Sequence, residues 1–197
     1  MTMKNACSTS GRPGSTLARL MVGSMLFLVF GCVALPEGIA PVQDFELQRY
    51  LGRWYEIARL DHSFERGLVN VTADYTLEED GRVRVINKGY RPAEDAWETA
   101  EGVAAFVGAT DVGRLKVSFF GPFYGGYNII ALDKAAYQYA LVCGPSRSYL
   151  WILAREPQLD AAVIEALVGR ARELGFATED LIMVDQTPVE RFAGSDG

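Results

Sequence analysis

Histidine and cysteine are scarce in this chain of 197 residues: His62 is the single histidine, and the cysteines are Cys7, Cys32 and Cys143. One histidine cannot build a multi-histidine metal centre, and a single histidine with so few cysteines is a poor start for Cys–His catalysis. Basic residues are also few. Sixteen of the 19 Lys and Arg lie beyond residue 31 together with all 25 Asp and Glu, so that part carries a formal charge of −9. A body this acidic excludes nucleic acid as a partner, because phosphates must be neutralised by clustered cations. It equally excludes a polybasic membrane-surface mode. No apolar run reaches the roughly 20 residues needed to cross a bilayer as a helix. Hydrophobic residues still make up 49% of the chain, which suits one folded domain rather than a disordered one.

The first 31 residues differ in kind. Lys4, Arg12 and Arg19 appear there without a single acid, and Leu20–Phe30 then runs apolar. Cations followed by a short apolar core read as a secretory leader. The run ends Val29-Phe30-Gly31-Cys32, which resembles the lipobox of bacterial lipoproteins. That resemblance implies cleavage before Cys32 and acylation of its sulfur and amine. Several acyl chains anchor a protein stably where one binds only marginally. Val33 after the cysteine implies passage to the outer membrane, on its periplasmic side. Cys7 is then removed and Cys32 acylated. Cys143, at the end of an apolar strand, is left as a buried inert thiol with no disulfide partner.

Residues 33–44 contain Pro36 and Pro41 and lack periodicity, so they read as a tether. The expected organisation is a leader over 1–31, a lipidated tether over 32–44, one domain over 45–190 and a tail over 191–197. Strand-like runs follow at 53–60, 68–77, 82–90, 97–107, 114–120, 125–132, 137–143 and 148–155, separated by turns such as Asp80-Gly81, Gly121-Pro122 and Asp133-Lys134. Linkers this short force antiparallel neighbours. Eight such strands predict an all-β, up-and-down antiparallel barrel, which removes the sheet edges. A helix is expected after it, with Pro157 near its first turn and Gly175 as C-terminal cap, packed on the barrel wall. Leu181–Val184 suits a short edge strand.

Gly52-x-Trp54 heading the first strand, Asp133 between the sixth and seventh, and Arg155 ending the eighth resemble the three signature regions of lipocalins. The phrases Tyr50–Arg59, Ile86–Tyr90, Lys116–Tyr127 and Leu150–Leu153 resemble the bacterial, apolipoprotein D-like branch of that family. The second region departs from the pattern at Leu132-Asp133-Lys134. The resemblance implies that Trp54 closes the barrel floor and that Arg155 stacks on it, a pairing worth about 0.5–2 kcal/mol. It further implies a fatty acid or lysophospholipid as ligand, membrane attachment through the N-terminal lipid, no cofactor, no metal, and a family habit that admits a homodimer.

Alternation sets the inward phase of each strand. Val71, Ala73 and Tyr75 face in on the second strand, Val83, Val85 and Asn87 on the third. Ala104 and Phe106 are taken on the fourth by family analogy, and Val117 and Phe119 face in on the fifth. Tyr127 and Ile129, then Ala140, then Tyr149 and Trp151 complete the set. The small residues among them predict a hollow interior. Asn87, Tyr124 and Tyr127 are expected to meet a polar head near the mouth, with Tyr124 in the Gly121–Gly126 loop. Glu56 shares the phase of Trp54 and needs a buried partner, for which a tyrosine hydroxyl and Asn87 are candidates. Two other readings compete. A lipocalin-fold enzyme acting on a hydrophobic ligand needs a reactive Cys or His inside, but Cys143 faces out and His62 lies in a solvated loop. A tetrapyrrole carrier needs an axial ligand that His62, so placed, does not supply.

Overall fold

The computed structural model describes residues 33–189. The leader over 1–31, Cys32 and the tail over 191–197 lie outside the described residues. The chain begins with an irregular segment and a single helical turn, α1 (Leu47–Tyr50). Eight strands follow: β1 (Gly52–Arg59), β2 (Val69–Leu77), β3 (Val83–Arg91), β4 (Ala96–Phe106), β5 (Arg114–Phe120), β6 (Phe123–Leu132), β7 (Tyr139–Cys143) and β8 (Leu150–Ala154). Each pairs antiparallel with the next, and β1 pairs with both β8 and β2, so the sheet closes. A helix, α2 (Ala161–Glu173), and a two-residue strand, β9 (Ile182–Met183), complete the fold. β9 adds to β1 at Ala58 and Arg59, beyond the point where β2 has diverged.

Gly52 opens β1 at φ +90°, a left-handed conformation that favours glycine. The bend turns the chain from α1 into the barrel wall. Farther along, the pairing of β1 with β8 slips between Glu56 and Ala58. Ile57 and Ala58 consequently both join the cluster outside the barrel. Strict alternation is broken, and Glu56 and Arg59 both reach inward, where their side chains meet. A bulge re-aims side chains in this way.

Two apolar clusters sit on either side of the wall. The inner one gathers Trp54, Tyr75, Val83, Val85, Leu115 and Leu153 with residues of the N-terminal segment. The outer one packs Ile57, Leu141, Cys143 and Ile152 against Leu167 and Ala171 of α2. α2 starts later than Pro157 suggests. Asp160 caps it, its side chain accepting from the Ala162 N–H at 2.8 Å, so the first turn lies beyond the proline. The helix ends as expected at Gly175, φ +81°, where the Phe176 N–H reaches back to the Ala171 carbonyl.

Residues 33–44 are a strap rather than a free tether. Ile39 is buried in the outer cluster, and the Val42 N–H donates to the Ile129 carbonyl at 2.8 Å. Arg147 holds the Glu37 carbonyl at 2.6 Å, and the Phe45 N–H holds that of Asp111. Prolines remove donors, but the residues between them still find partners on the wall.

Candidate functional site

One end of the barrel is shut. Trp54 is fully buried there, its indole N–H donating to the Tyr50 carbonyl at 2.8 Å. The Arg155 guanidinium lies 4.1 Å from the centre of the Trp54 ring. It also donates to the carbonyls of Arg49 (2.7 Å), Arg53 (2.8 Å) and Tyr137 (3.3 Å). Phe45 and Tyr50 pack beside it with tilted rings, 5.3 Å from each other, and Tyr137 closes the layer. Asp133 shapes the turn below, accepting from the N–H groups of Ala135, Ala136 and Gln138 at 3.2–3.3 Å. Gly52, Trp54, Asp133 and Arg155 thus converge on the floor and leave the space above it alone.

Above the floor lies a cavity of about 760 Å³. That falls within the 300–1,000 Å³ typical of small-molecule sites. Val71, Ala73 and Tyr75 line one wall, and Val85 and Asn87 the next. Ala104, Val117 and Phe119 continue it, and Tyr124, Tyr127 and Trp151 close the circuit. Phe106, Ile129 and Ala140 do not line it. They project to the interior but at the level of the floor, where the aromatic layer covers them: Phe106 packs edge-on against Phe45, and Ile129 and Ala140 are fully buried. The sequence gives the phase of a side chain but not how thick the plug beneath the cavity will be.

The polar groups fall at different heights from those expected. Tyr127 is deep, not at the mouth. Its hydroxyl joins those of Tyr50 (2.7 Å) and Tyr75 (2.9 Å) just above the floor. Burial pushes all three phenols above their ordinary range, so they remain protonated. Asn87 stands in the wall with its Oδ1 buried and unpartnered among the described residues, an acceptor with nothing donating to it. Tyr124 is at the mouth, within β6 rather than in a loop, with the Lys116 ammonium 4.6 Å from its ring.

Glu56 finds neither a tyrosine nor Asn87. Arg59 Nη1 donates to it at 2.7 Å, and both side chains are almost wholly buried. Arg59 also donates to the carbonyls of Glu65 and Leu68, pinning the loop between β1 and β2. Glu65 folds in from that loop and accepts from the Trp151 indole at 3.0 Å. One guanidinium cannot neutralise two buried carboxylates. Desolvation, reinforced by the charge of Glu65, pushes Glu56 up to about 8. Desolvation raises Glu65 too. The sequence concealed this cluster because alternation places Arg59 outside; only the bulge brings it in.

His62 is not solvated. Its ring is stacked with Phe64 and Tyr149, at 5.4 and 5.0 Å, and tilted on Trp151 at 4.7 Å. Burial, with the Arg59 charge, lowers it to about 4, so it is a neutral aromatic spacer at ordinary pH. Cys143 points into the outer cluster, on the far side of the wall from the cavity, and desolvation pushes its thiol up to about 12. A thiol held neutral is a poor nucleophile. Among the described residues, no group of three or more His, Cys, Asp or Glu is placed to hold a metal ion.

Comparison with known proteins agrees with this geometry. A family model described as a lipocalin-like domain matches residues 45–186. The outer membrane lipoprotein Blc of Vibrio cholerae is 50% identical over 159 residues, covering 81% of this chain and 93% of that protein. Its namesake in Escherichia coli K12 is 53% identical over 162 residues, covering 81% and 91%. Among solved structures, insecticyanin from the tobacco hornworm Manduca sexta superposes with a TM-score of 0.64 at 20% identity, covering 79% of this chain and 88% of that one. The kinship with the lipoproteins places the chain at the outer membrane as a lipid-anchored protein. On the strength of the family match and of these relatives, the chain belongs to the lipocalin-like family.

Proposed function

We propose that the barrel holds the acyl chain of a fatty acid or lysophospholipid, and that the protein serves lipid transport, storage or maintenance from an anchor on Cys32. The observation that carries this is the hollow above the plug: about 760 Å³ walled mainly by Val, Ala, Tyr and Phe side chains. Each methylene buried there contributes about 0.8 kcal/mol. A long chain therefore binds without any charge contact, its head left toward the mouth. Asn87 Oδ1 offers one unclaimed acceptor along the way, suited to a hydroxyl of the ligand.

The division into leader, strap, barrel and tail belongs to the same reading, with Cys32 as the first residue after cleavage. An enzymatic role finds less support. Cys143 faces away from the cavity and His62 is locked in a stack, so neither is poised over a bound chain. Organic extraction of the purified native protein, followed by mass spectrometry, tests the proposal. Recovery of stoichiometric acyl lipid supports it. Recovery of a coloured macrocycle, or of no acyl lipid together with no uptake of added fatty acid, overturns it.

A further inference from the structure

The strap fixes which end of the barrel meets the membrane. Its first residues lie beside the mouth. The Ala34 carbonyl lies so close to Gly126 that a Cβ there would come within 3.1 Å, and Gly126 in turn abuts Pro145 of the β7–β8 turn. From there the strap descends the wall to Phe45 at the floor. Gly126 is three strand positions below Phe123 at the rim, roughly 10 Å, and six above Leu132 at the floor end, roughly 20 Å. Two residues of chain extend at most about 7 Å. Cys32, two residues before Ala34, can therefore come within about 3 Å of the level of the rim but no nearer than about 13 Å to that of the floor.

The rim carries what a lipid surface favours. Phe120 is 81% exposed, Phe123 68%, Phe64 58% and Trp97 40%. All four stand on strand ends or loops around the mouth, and no exposed large aromatic occurs elsewhere among the described residues. Two ammonium groups accompany them: Lys88 Nζ lies 4.5 Å from the centre of the Trp97 ring and Lys116 Nζ 4.6 Å from that of Tyr124. Among the described residues neither lysine makes an ion pair. Aromatic rings with lysines reaching past them are the residues that settle at a bilayer interface, where the cations meet phosphate.

We propose that the mouth of the barrel docks on the phospholipid leaflet that holds its own anchor, with Phe120 and Phe123 inserted among the lipids. An acyl chain then passes between leaflet and cavity without crossing water. The proposal rests on acylation of Cys32 and deepens the acyl-ligand reading above.

The test uses the full processed lipoprotein, reconstituted in vesicles of phosphatidylethanolamine and phosphatidylglycerol. A nitroxide is placed at the rim (F123C) or at the floor end (D80C), both exposed positions where the fold tolerates a label. Docking makes the rim label accessible to oxygen and shielded from a water-soluble nickel chelate, by about tenfold relative to the floor label. Equal access of nickel to both labels overturns it. Transfer of pyrene-labelled hexadecanoate from the vesicles is then timed. The F120S/F123S protein slows it about tenfold once its rate is normalised to its own uptake of the probe from solution. Normalised transfer equal to that of the parent also overturns docking. A shielded rim label with no probe binding supports docking and sinks the ligand reading alone. Loss of the chain from washed vesicles removes the anchor, and the docking with it.

Discussion

Arg155 and Trp54, a hundred residues apart in the chain, form one contact: a guanidinium 4.1 Å from the centre of an indole, with its remaining donors spent on the carbonyls of Arg49, Arg53 and Tyr137. The pairing explains why the floor holds. Burial lowers the pKa of Arg155, yet an arginine there remains charged, so it ties α1, β1 and the β6–β7 turn to the end of β8 through fixed donors.

Trp54→Ala is therefore expected to cost about 3–5 kcal/mol in urea unfolding, as removal of a buried aromatic does. Arg155→Lys keeps the charge but loses the fork and is expected to be destabilising as well. A double-mutant cycle between the two positions should show a coupling of about 0.5–2 kcal/mol. Additive losses would contradict the stacked arrangement.

The cavity makes its own prediction. Ala73 faces it from β2, beside Asn87 and Trp54 in the ladders. Ala73→Trp is expected to leave the melting temperature nearly unchanged, because the new ring enters empty space, and to weaken an acyl ligand about tenfold or more. If the interior were packed, the same substitution would cost about 1–3 kcal/mol through overpacking.

Stability should follow pH through two buried groups of opposite sense. Glu56 sits at about 8 in the folded protein against 4.5 unfolded, so the native state holds the extra proton and loses stability as pH rises between those values. His62 sits at about 4 against 6.5, so it adds stability as pH rises through its own window. The two nearly cancel from pH 4.5 to 6.5. Above 6.5 His62 no longer offsets the carboxylates, and unfolding free energy should fall by about 1.4 kcal/mol per pH unit from Glu56, with Glu65 acting in the same sense. Glu56→Gln should remove most of that decline in denaturant titrations; a slope left unchanged would assign it elsewhere.

Cys143 should be unreactive in the folded state. Its thiol is buried beneath α2 and pushed up to about 12. Iodoacetamide at neutral pH should leave the peptide containing it unmodified until denaturant is added. Ligand binding by Cys143→Ser should match the parent.

The barrel was legible because half-buried strands advertise themselves twice, by alternation and by turn residues. Asp80-Gly81 and Gly121-Pro122 bound the strands where expected, and the contrast of Val83 and Val85 with Arg84 revealed which face was inward. What stayed hidden depends on events that break such periodicity. The bulge at Ile57 and Ala58 carried Arg59 indoors. The strap and α1 thickened the floor and covered Phe106, Ile129 and Ala140. His62 looked solvated because its loop is polar in sequence, whereas its burial depends on Tyr149 and Trp151, far along the chain. Local pattern reports which way a side chain points; the height of a plug and the partners of a loop are settled by tertiary packing.

The central claim is an empty apolar cup that takes its ligand by the chain. Isothermal titration of the native protein with fatty acids and lysophospholipids of increasing length tests it most directly. Affinity is predicted to rise about fourfold per added methylene until the cavity is full, whatever the head group. Affinity that ignores chain length, or follows the head group alone, would contradict the account.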